Sequence, residues 1–163
     1  MTVEGKSVEA LVVKRTIAVN ATVEHAFTTF TERHGRWWPM QTHHIGAKPA
    51  ETVIIEPRVG GRWFERDAAG AECDWGRVLV WQPPHRLVLA WQIGADWKYD
   101  PALQTEVELR FVAIGGRTTR IEFEHRGLEA YGERGPAMRD TFGSEGGWNS
   151  ILQRYAGVAE ATA

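Results

Sequence analysis

Two periodicities divide the chain. In residues 105–113, Val107, Leu109 and Phe111 alternate with Glu106, Glu108 and Arg110; in residues 118–125, Ile121, Phe123 and His125 alternate with Glu122, Glu124 and, beyond them, Arg126. A period of two marks antiparallel strands with one buried and one solvated face. Near the end the period changes: Trp148, Ile151, Leu152, Tyr155 and Val158 stand at i, i+3, i+4, i+7 and i+10. That is the apolar stripe of an amphipathic helix, here expected from about residue 144 or 147 to 159.

The rest of the chain fills in around these segments. Residues 10–19 are rich in β-branched residues and read as a first strand. Asn20, Ala21 and Thr22 offer helix-cap chemistry before Val23, Ala26, Phe27 and Phe30, which share one face of a short helix. Residues 31–38 predict a second short helix or turn, stopped by Pro39. Further strands are expected at 52–56, 62–66, 73–81 and 86–93, separated by Gly60-Gly61, the 67–70 turn and Pro83-Pro84. Pro136 suits the first turn of a helical lead-in over 136–142, and Ser144 reads as a cap for the helix that follows. Short connections predict a meander. The expected fold is α+β, a curved antiparallel sheet of about six or seven strands wrapped around a long C-terminal helix. Such a grip can leave a cavity between sheet and helix.

Composition narrows the function classes. The 163 residues suit a single domain spanning 1–163, with residues 1–9 polar and expected to be flexible. Net charge is −2 with both signs interleaved, so no extended nucleic-acid footprint is expected. No apolar run approaches the ~20 residues of a membrane span, and the first residues lack a signal-peptide pattern. The single cysteine, Cys73, cannot form an internal disulfide, which fits a cytoplasmic location. Tryptophan is the departure from average: Trp37, Trp38, Trp63, Trp75, Trp81, Trp91, Trp97 and Trp148. Each brings a large apolar body and one N–H that wants a partner when buried. They fit either a core built from large rings or an aromatic-lined pocket.

Several segments resemble one family. Residues 30–39 ending in Arg36-Trp37-Trp38-Pro39, the run Glu56-Pro57-Arg58-Val59-Gly60-Gly61-Arg62-Trp63, Trp75-Gly76-Arg77-Val78, the Pro83-Pro84 stretch through Trp91, and Gly146-Gly147-Trp148 occur in order. They resemble the activator-of-Hsp90-ATPase-like (AHSA1-type) branch of the START/Bet v 1-like (SRPBCC) superfamily over about residues 11–160. The resemblance implies the helix-grip fold. Eukaryotic cochaperone members carry an additional chaperone-binding domain, for which these residues are expected to leave no room. The wider superfamily includes lipid carriers, cyclases and aromatases, hormone receptors and Rieske hydroxylases; no Cys/His pair here has the spacing for a Rieske cluster.

Candidate site residues follow from the face assignments. Trp37, Trp38, Trp63, Trp75, Trp91, Phe111, Trp148, Leu152 and Tyr155 are expected to wall the cavity, with Trp37 and Trp38 as a lid and Trp148, Leu152 and Tyr155 as the floor. His125 shares the inward face, either as a pocket acid or base or as a core histidine bonded to a backbone carbonyl. Alternation also places Glu65 with Trp63, and Arg77 with Trp75 and Leu79. Inside a cavity they would need each other or a polar ligand; a local bulge would instead turn them outward as surface charges. His34, His43, His44 and His85 lack the short-spaced ligand pairs of a zinc site, so no metal and no cofactor are expected. No nucleophile elbow or phosphate loop is present, and Cys73 lacks an activating positive neighbour. The expected function is binding of a small hydrophobic or aromatic ligand, with no catalysis assigned. A cyclase/aromatase-like or hydrolase-type enzyme using His125, Glu65 and Arg77 is one alternative. A chaperone-linked adaptor is another. Oligomeric state stays open, a homodimer included.

Overall fold

A computed structural model describes residues 11–163. The expected flexibility of residues 1–9, and Ala10 of the first strand, lie outside the described residues. Seven strands form one antiparallel sheet: β1 (Val13–Val19), β2 (Ala50–Ile55), β3 (Arg62–Asp67), β4 (Glu72–Gln82), β5 (Arg86–Trp91), β6 (Thr105–Gly115) and β7 (Thr118–Arg126). Their order across the sheet is β1-β7-β6-β5-β4-β3-β2. The run β2 to β7 is thus the expected meander, and only β1 crosses over to the far edge.

Helix α1 (Val23–Thr31) follows β1, its N-terminus capped by Thr22, whose hydroxyl accepts from the His25 N–H at 3.2 Å. The second short helix or turn expected over 31–38 is a 3-10 turn, His34–Arg36. After β7 come a 3-10 segment, Leu128–Arg134, then α2 (Gly135–Phe142) with proline in its first turn, and finally α3 (Ser150–Ala161). The stripe of α3 is buried at Ile151, Leu152, Tyr155 and Ala159 against the concave face of the sheet, while Val158 is only partly covered. Tyr155 ties the grip to α1 by donating to the Ala26 carbonyl at 2.6 Å. The structure is the helix-grip fold.

The expected Ser144 cap is not formed. Its hydroxyl donates back to the Thr141 carbonyl at 2.7 Å, and a π-type turn, Glu145–Asn149, joins α2 to α3. Gly147 makes that turn possible, because a Cβ there would stand 2.6 Å from the Thr141 carbonyl oxygen and closer still to that of Phe142. Across the fold Arg15 clamps this corner, donating to the Gly143 carbonyl at 2.9 Å and to Asn149.

The outer face of the sheet is a lattice of charge. Glu108 is almost fully covered by Arg86, Arg110 and Arg126. Burial opposes its ionisation, but hydrogen bonds from Arg86 and Arg126 hold its carboxyl below the usual range. Phe64, also on this face, lies beneath the guanidinium of Arg62, 3.9 Å from the ring centre.

One irregularity reorders the concave face. Trp63 pairs with Gly76 but Phe64 pairs with Asp74, so Trp75 is an extra residue without an opposite number. This bulge turns Trp75 inward and reverses the alternation after it: Val78 points in and Arg77 points out. Gly76 permits the bulge, since a Cβ at that position would collide with the Ala90 carbonyl oxygen. Gly76→Ala is therefore expected to cost at least about 3 kcal/mol or abolish folding. Gly157, exposed on α3 with open space around its Cα, behaves in the opposite way. Gly157→Ala should gain up to about 1 kcal/mol of helix propensity. Urea denaturation of both variants checks the contrast.

Candidate functional site

The concave face divides into a filled part and an open part. In the filled part, around the first half of the grip, Phe30 packs edge-on against Phe111 and Tyr155, and Trp37 packs against Phe30 and Tyr155 at 4.9 and 5.3 Å between ring centres. In the open part lies a cleft of about 470 Å³. Its walls come from β4 and β5 (Trp75, Trp91), the residues after β5 (Ile93, Trp97), the α2–α3 corner (Phe142, Trp148, Ile151) and the loop after Pro39 (Thr42, His43, His44, Ile45), with Trp38 at their junction. Ring centres of Trp38 and Trp75 are 5.0 Å apart, those of Trp91 and Trp148 5.8 Å.

The buried tryptophan N–H groups are used inside the protein. Trp37 donates to the Thr29 carbonyl at 3.0 Å, Trp38 to the His43 carbonyl at 2.8 Å, and Trp91 to the Tyr131 hydroxyl at 3.1 Å. The Tyr131 hydroxyl in turn donates to the Ile93 carbonyl at 2.6 Å. Trp75 donates to Glu65 at 2.8 Å. Trp63 and Trp148 each donate to a histidine, Trp63 to His34 Nε2 and Trp148 to His125 Nδ1, both at 3.1 Å. What Trp38, Trp75, Trp91 and Trp148 present to the cleft is therefore ring carbon.

Those donors settle the histidine tautomers, because an indole N–H only donates. His34 accepts at Nε2 and so carries its proton on Nδ1, which donates to the Phe30 carbonyl at 2.9 Å. His125 accepts at Nδ1 and donates from Nε2 to the Thr105 hydroxyl at 2.8 Å; Thr105 in turn donates to the Trp91 carbonyl at 3.0 Å. Burial pushes His125 down to about 3, and it does the same to His34 against the opposing effect of the Phe30 carbonyl. Both rings are neutral structural acceptors.

This geometry corrects several expectations. His125 sits behind the Trp148 and Phe142 rings with both nitrogens engaged, so it is no pocket acid or base, and its partners are side chains rather than a carbonyl. The expected Glu65–Arg77 pair does not form. The Trp75 bulge sends Arg77 outward, where it donates to Gln92 at 3.0 Å and Gln104 at 2.8 Å. Glu65 does face inward, but it is enclosed: its carboxylate accepts from Trp75 and from the backbone N–H groups of Ile45 and Gly46 at 2.7 and 3.1 Å. Its work is to pin the cleft loop. Trp37, Trp63, Phe111, Leu152 and Tyr155 lie in the filled core rather than on the cleft, and Trp37 is no lid. Trp38, Trp75, Trp91 and Trp148 are the expected wall residues that the structure brings together around the opening.

Other cleft residues were not among the expected wall residues. The loop holding His43 and His44 turns back against the α2–α3 corner, where His43 Nε2 donates to the Gly146 carbonyl at 2.6 Å. The clue was a pair of adjacent histidines in the loop that follows Trp37-Trp38-Pro39. Trp97 is a second case. It is 44% exposed at the rim, its φ of 62° is left-handed, its backbone N–H donates to the Gly94 carbonyl at 2.9 Å, and its indole N–H has no acceptor among the described residues. A bulky residue rarely adopts that backbone. The signal in the sequence was a tryptophan stranded in a polar loop. Cys73 lies partly buried near Glu65, and burial followed by the charges of Glu65, Asp67 and Asp74 raises its thiol, which disfavours the thiolate. Among the described residues no three metal-ligating side chains converge, and no helix is long and apolar enough to cross a membrane.

Comparison with known proteins gives this geometry a context. The family described as activator of Hsp90 ATPase homolog 1-like protein matches residues 20–160. Among solved structures, an anthrahydroquino-gamma-pyrone synthase, Txn09, complexed with a compound designated SUM, is 37% identical. That match covers 90% of this chain and 96% of that one, with a TM-score of 0.64. CalC, a self-sacrificing resistance protein from Micromonospora echinospora, is 29% identical over 93% of this chain and 96% of its own, at 0.70. An Hsp90 activator from Plasmodium falciparum, 17% identical over 90% and 94% of the two chains at 0.59, shares the fold. No curated protein matches.

The two buried histidines carry a pH dependence. On unfolding, each returns from a pKa of about 3 to the ordinary 6.5 and takes up a proton below that value. Their contribution is full above pH 6.5 and drains as pH falls toward 3, by up to about 1.4 kcal/mol per pH unit for each ring. Urea midpoints should fall steeply between about pH 6 and pH 5, before exposed carboxylates titrate, and His125→Gln should roughly halve that slope. A flat midpoint over this range would show that the rings are not buried neutral.

Proposed function

We propose that this chain, which belongs to the activator of Hsp90 ATPase homolog 1-like family, binds a small, flat, aromatic molecule in the tryptophan-walled cleft. The observation that carries the reading is the cleft itself. Its volume of about 470 Å³ falls within the usual range of ligand pockets, and its main walls are ring faces and edges whose polar atoms are bonded elsewhere. A planar aromatic slides between such rings in offset or edge-to-face contact and displaces water that these walls do not hydrogen-bond. The name of the 37%-identical relative, an anthrahydroquino-gamma-pyrone synthase, supports a fused-ring ligand.

The same relative favours a second reading, in which binding leads to a cyclase-like reaction. Here the cleft would hold a flexible substrate folded for ring closure, the orienting effect supplying much of the catalysis. Polar rim groups such as His44, Thr141 and Ser144 would be the ones within reach. The chaperone-linked reading has only shared fold from the structural side, and fold alone does not carry function.

Trp97 offers a test that separates binding from folding. Its left-handed backbone costs about 1 kcal/mol or more, strain of the kind retained at working sites. Titration with 9,10-anthraquinone, followed by tryptophan fluorescence quenching, should show saturable binding. Trp97→Gly should weaken it roughly tenfold, the share of one aromatic wall, while the melting temperature holds or rises. Absence of saturable quenching in the parent protein would overturn the reading.

A further inference from the structure

The cleft is not uniformly apolar, and its exception is specific. Most polar atoms on its walls are already partnered. The Ser144 hydroxyl donates to the Thr141 carbonyl, His43 Nε2 occupies the Gly146 carbonyl, and its Nδ1 lies 2.7 Å from the Thr42 hydroxyl. His44 differs. Its Nδ1 donates to the Gly46 carbonyl at 3.0 Å, and its Nε2 has no partner among the described residues. In the neutral ring this fixes the proton on Nδ1 and leaves a lone pair on Nε2, which accepts and cannot donate.

The acceptor is also held in place. The two residues after His44 donate their backbone N–H groups to the buried Glu65 carboxylate, at 2.7 Å from Ile45 and 3.1 Å from Gly46. Glu65 is itself locked by the Trp75 N–H. On the other flank, the His43 carbonyl receives the Trp38 N–H. A half-buried acceptor so fixed loses little freedom when a donor arrives.

From this we infer that the ligand carries an aromatic or enolic hydroxyl that donates to His44 Nε2. The inference rests on the cleft being an aromatic-binding site, and it adds the chemical class: hydroxylated rather than plain or ether-capped fused rings. Trp97 and the exposed Thr141 hydroxyl also reach the rim, but an indole N–H donates to a hydroxyl and an ether oxygen alike, and the Thr141 hydroxyl, which both donates and accepts, can bond either as well. Discrimination for a proton on the ligand falls to His44.

The test uses three probes of one shape: 9,10-anthraquinone, 2-hydroxyanthraquinone and 2-methoxyanthraquinone, each titrated by fluorescence quenching. The parent protein should bind the hydroxy compound about tenfold more tightly than the methoxy compound, as a half-buried hydrogen bond predicts. In His44→Phe the hydroxy compound should fall to the methoxy level while anthraquinone is held within about twofold. His44→Gln, whose side-chain oxygen can accept, should restore part of the preference. Equal binding of hydroxy and methoxy compounds, or a preference that survives His44→Phe, would overturn this inference and leave aromatic binding standing. Failure of all three probes to bind would overturn both.

Discussion

Every buried indole N–H must find an acceptor, and that requirement organises this molecule. Leaving one unpaired in the interior would cost on the order of 1–3 kcal/mol. Six tryptophans carry the requirement here, and their acceptors come from the Thr29 and His43 carbonyls, His34, His125, Glu65 and Tyr131. Half of these pairs, those of Trp63, Trp91 and Trp148, join distant parts of the chain. Each side-chain acceptor is committed in turn: His34 to the Phe30 carbonyl, His125 to Thr105, Tyr131 to the Ile93 carbonyl, and Glu65 to the loop at Ile45 and Gly46. The polar edges of the rings thus point into protein. Their carbon faces pack together in one half of the grip and line the open cleft in the other.

That division resolves two readings that the composition left standing. The excess of tryptophan serves both a filled core and an aromatic-lined cleft. Trp37 and Trp63 belong to the core with Phe111 and Tyr155, whereas Trp38, Trp75, Trp91 and Trp148 face the opening. The dividing line is drawn by the α2–α3 corner. Gly147 lets the chain pass tightly over the Thr141 and Phe142 carbonyls, and the resulting π-type turn sets Trp148 against the His125 ring. Turns of this type recur at functional sites because they displace a side chain from regular helical spacing.

Most of the fold was legible in the sequence, because alternation and helical spacing report which face is buried. The alternating faces of β6 and β7, the stripe on α3 and the Thr22 cap all follow from such patterns. The site was legible only in part. Counting by twos placed Glu65 inside and also placed Arg77 inside; one extra residue at Trp75 undoes the second and not the first. Nothing in a local window reveals that bulge except Gly76 beside it. The roles of His125 and Glu65 were hidden for a different reason. Each is fixed by a tryptophan elsewhere in the sequence, and a partner brought close by folding leaves no periodic trace. The loop of His43 and His44 and the strained Trp97 belong to irregular backbone, where spacing rules say nothing about direction.

The account stands on tryptophans sorted into core and cleft, each with its N–H fixed internally. The most direct measurement is the set of indole resonances in a proton–nitrogen correlation spectrum, assigned by single tryptophan substitutions and followed as a planar fused-ring aromatic is added. The account predicts that the Trp38, Trp75, Trp91 and Trp148 signals move with ligand through ring currents, while those of Trp37 and Trp63 stay in place. Uniform movement of all these signals, or movement of Trp37 and Trp63 with the cleft set still, would contradict it.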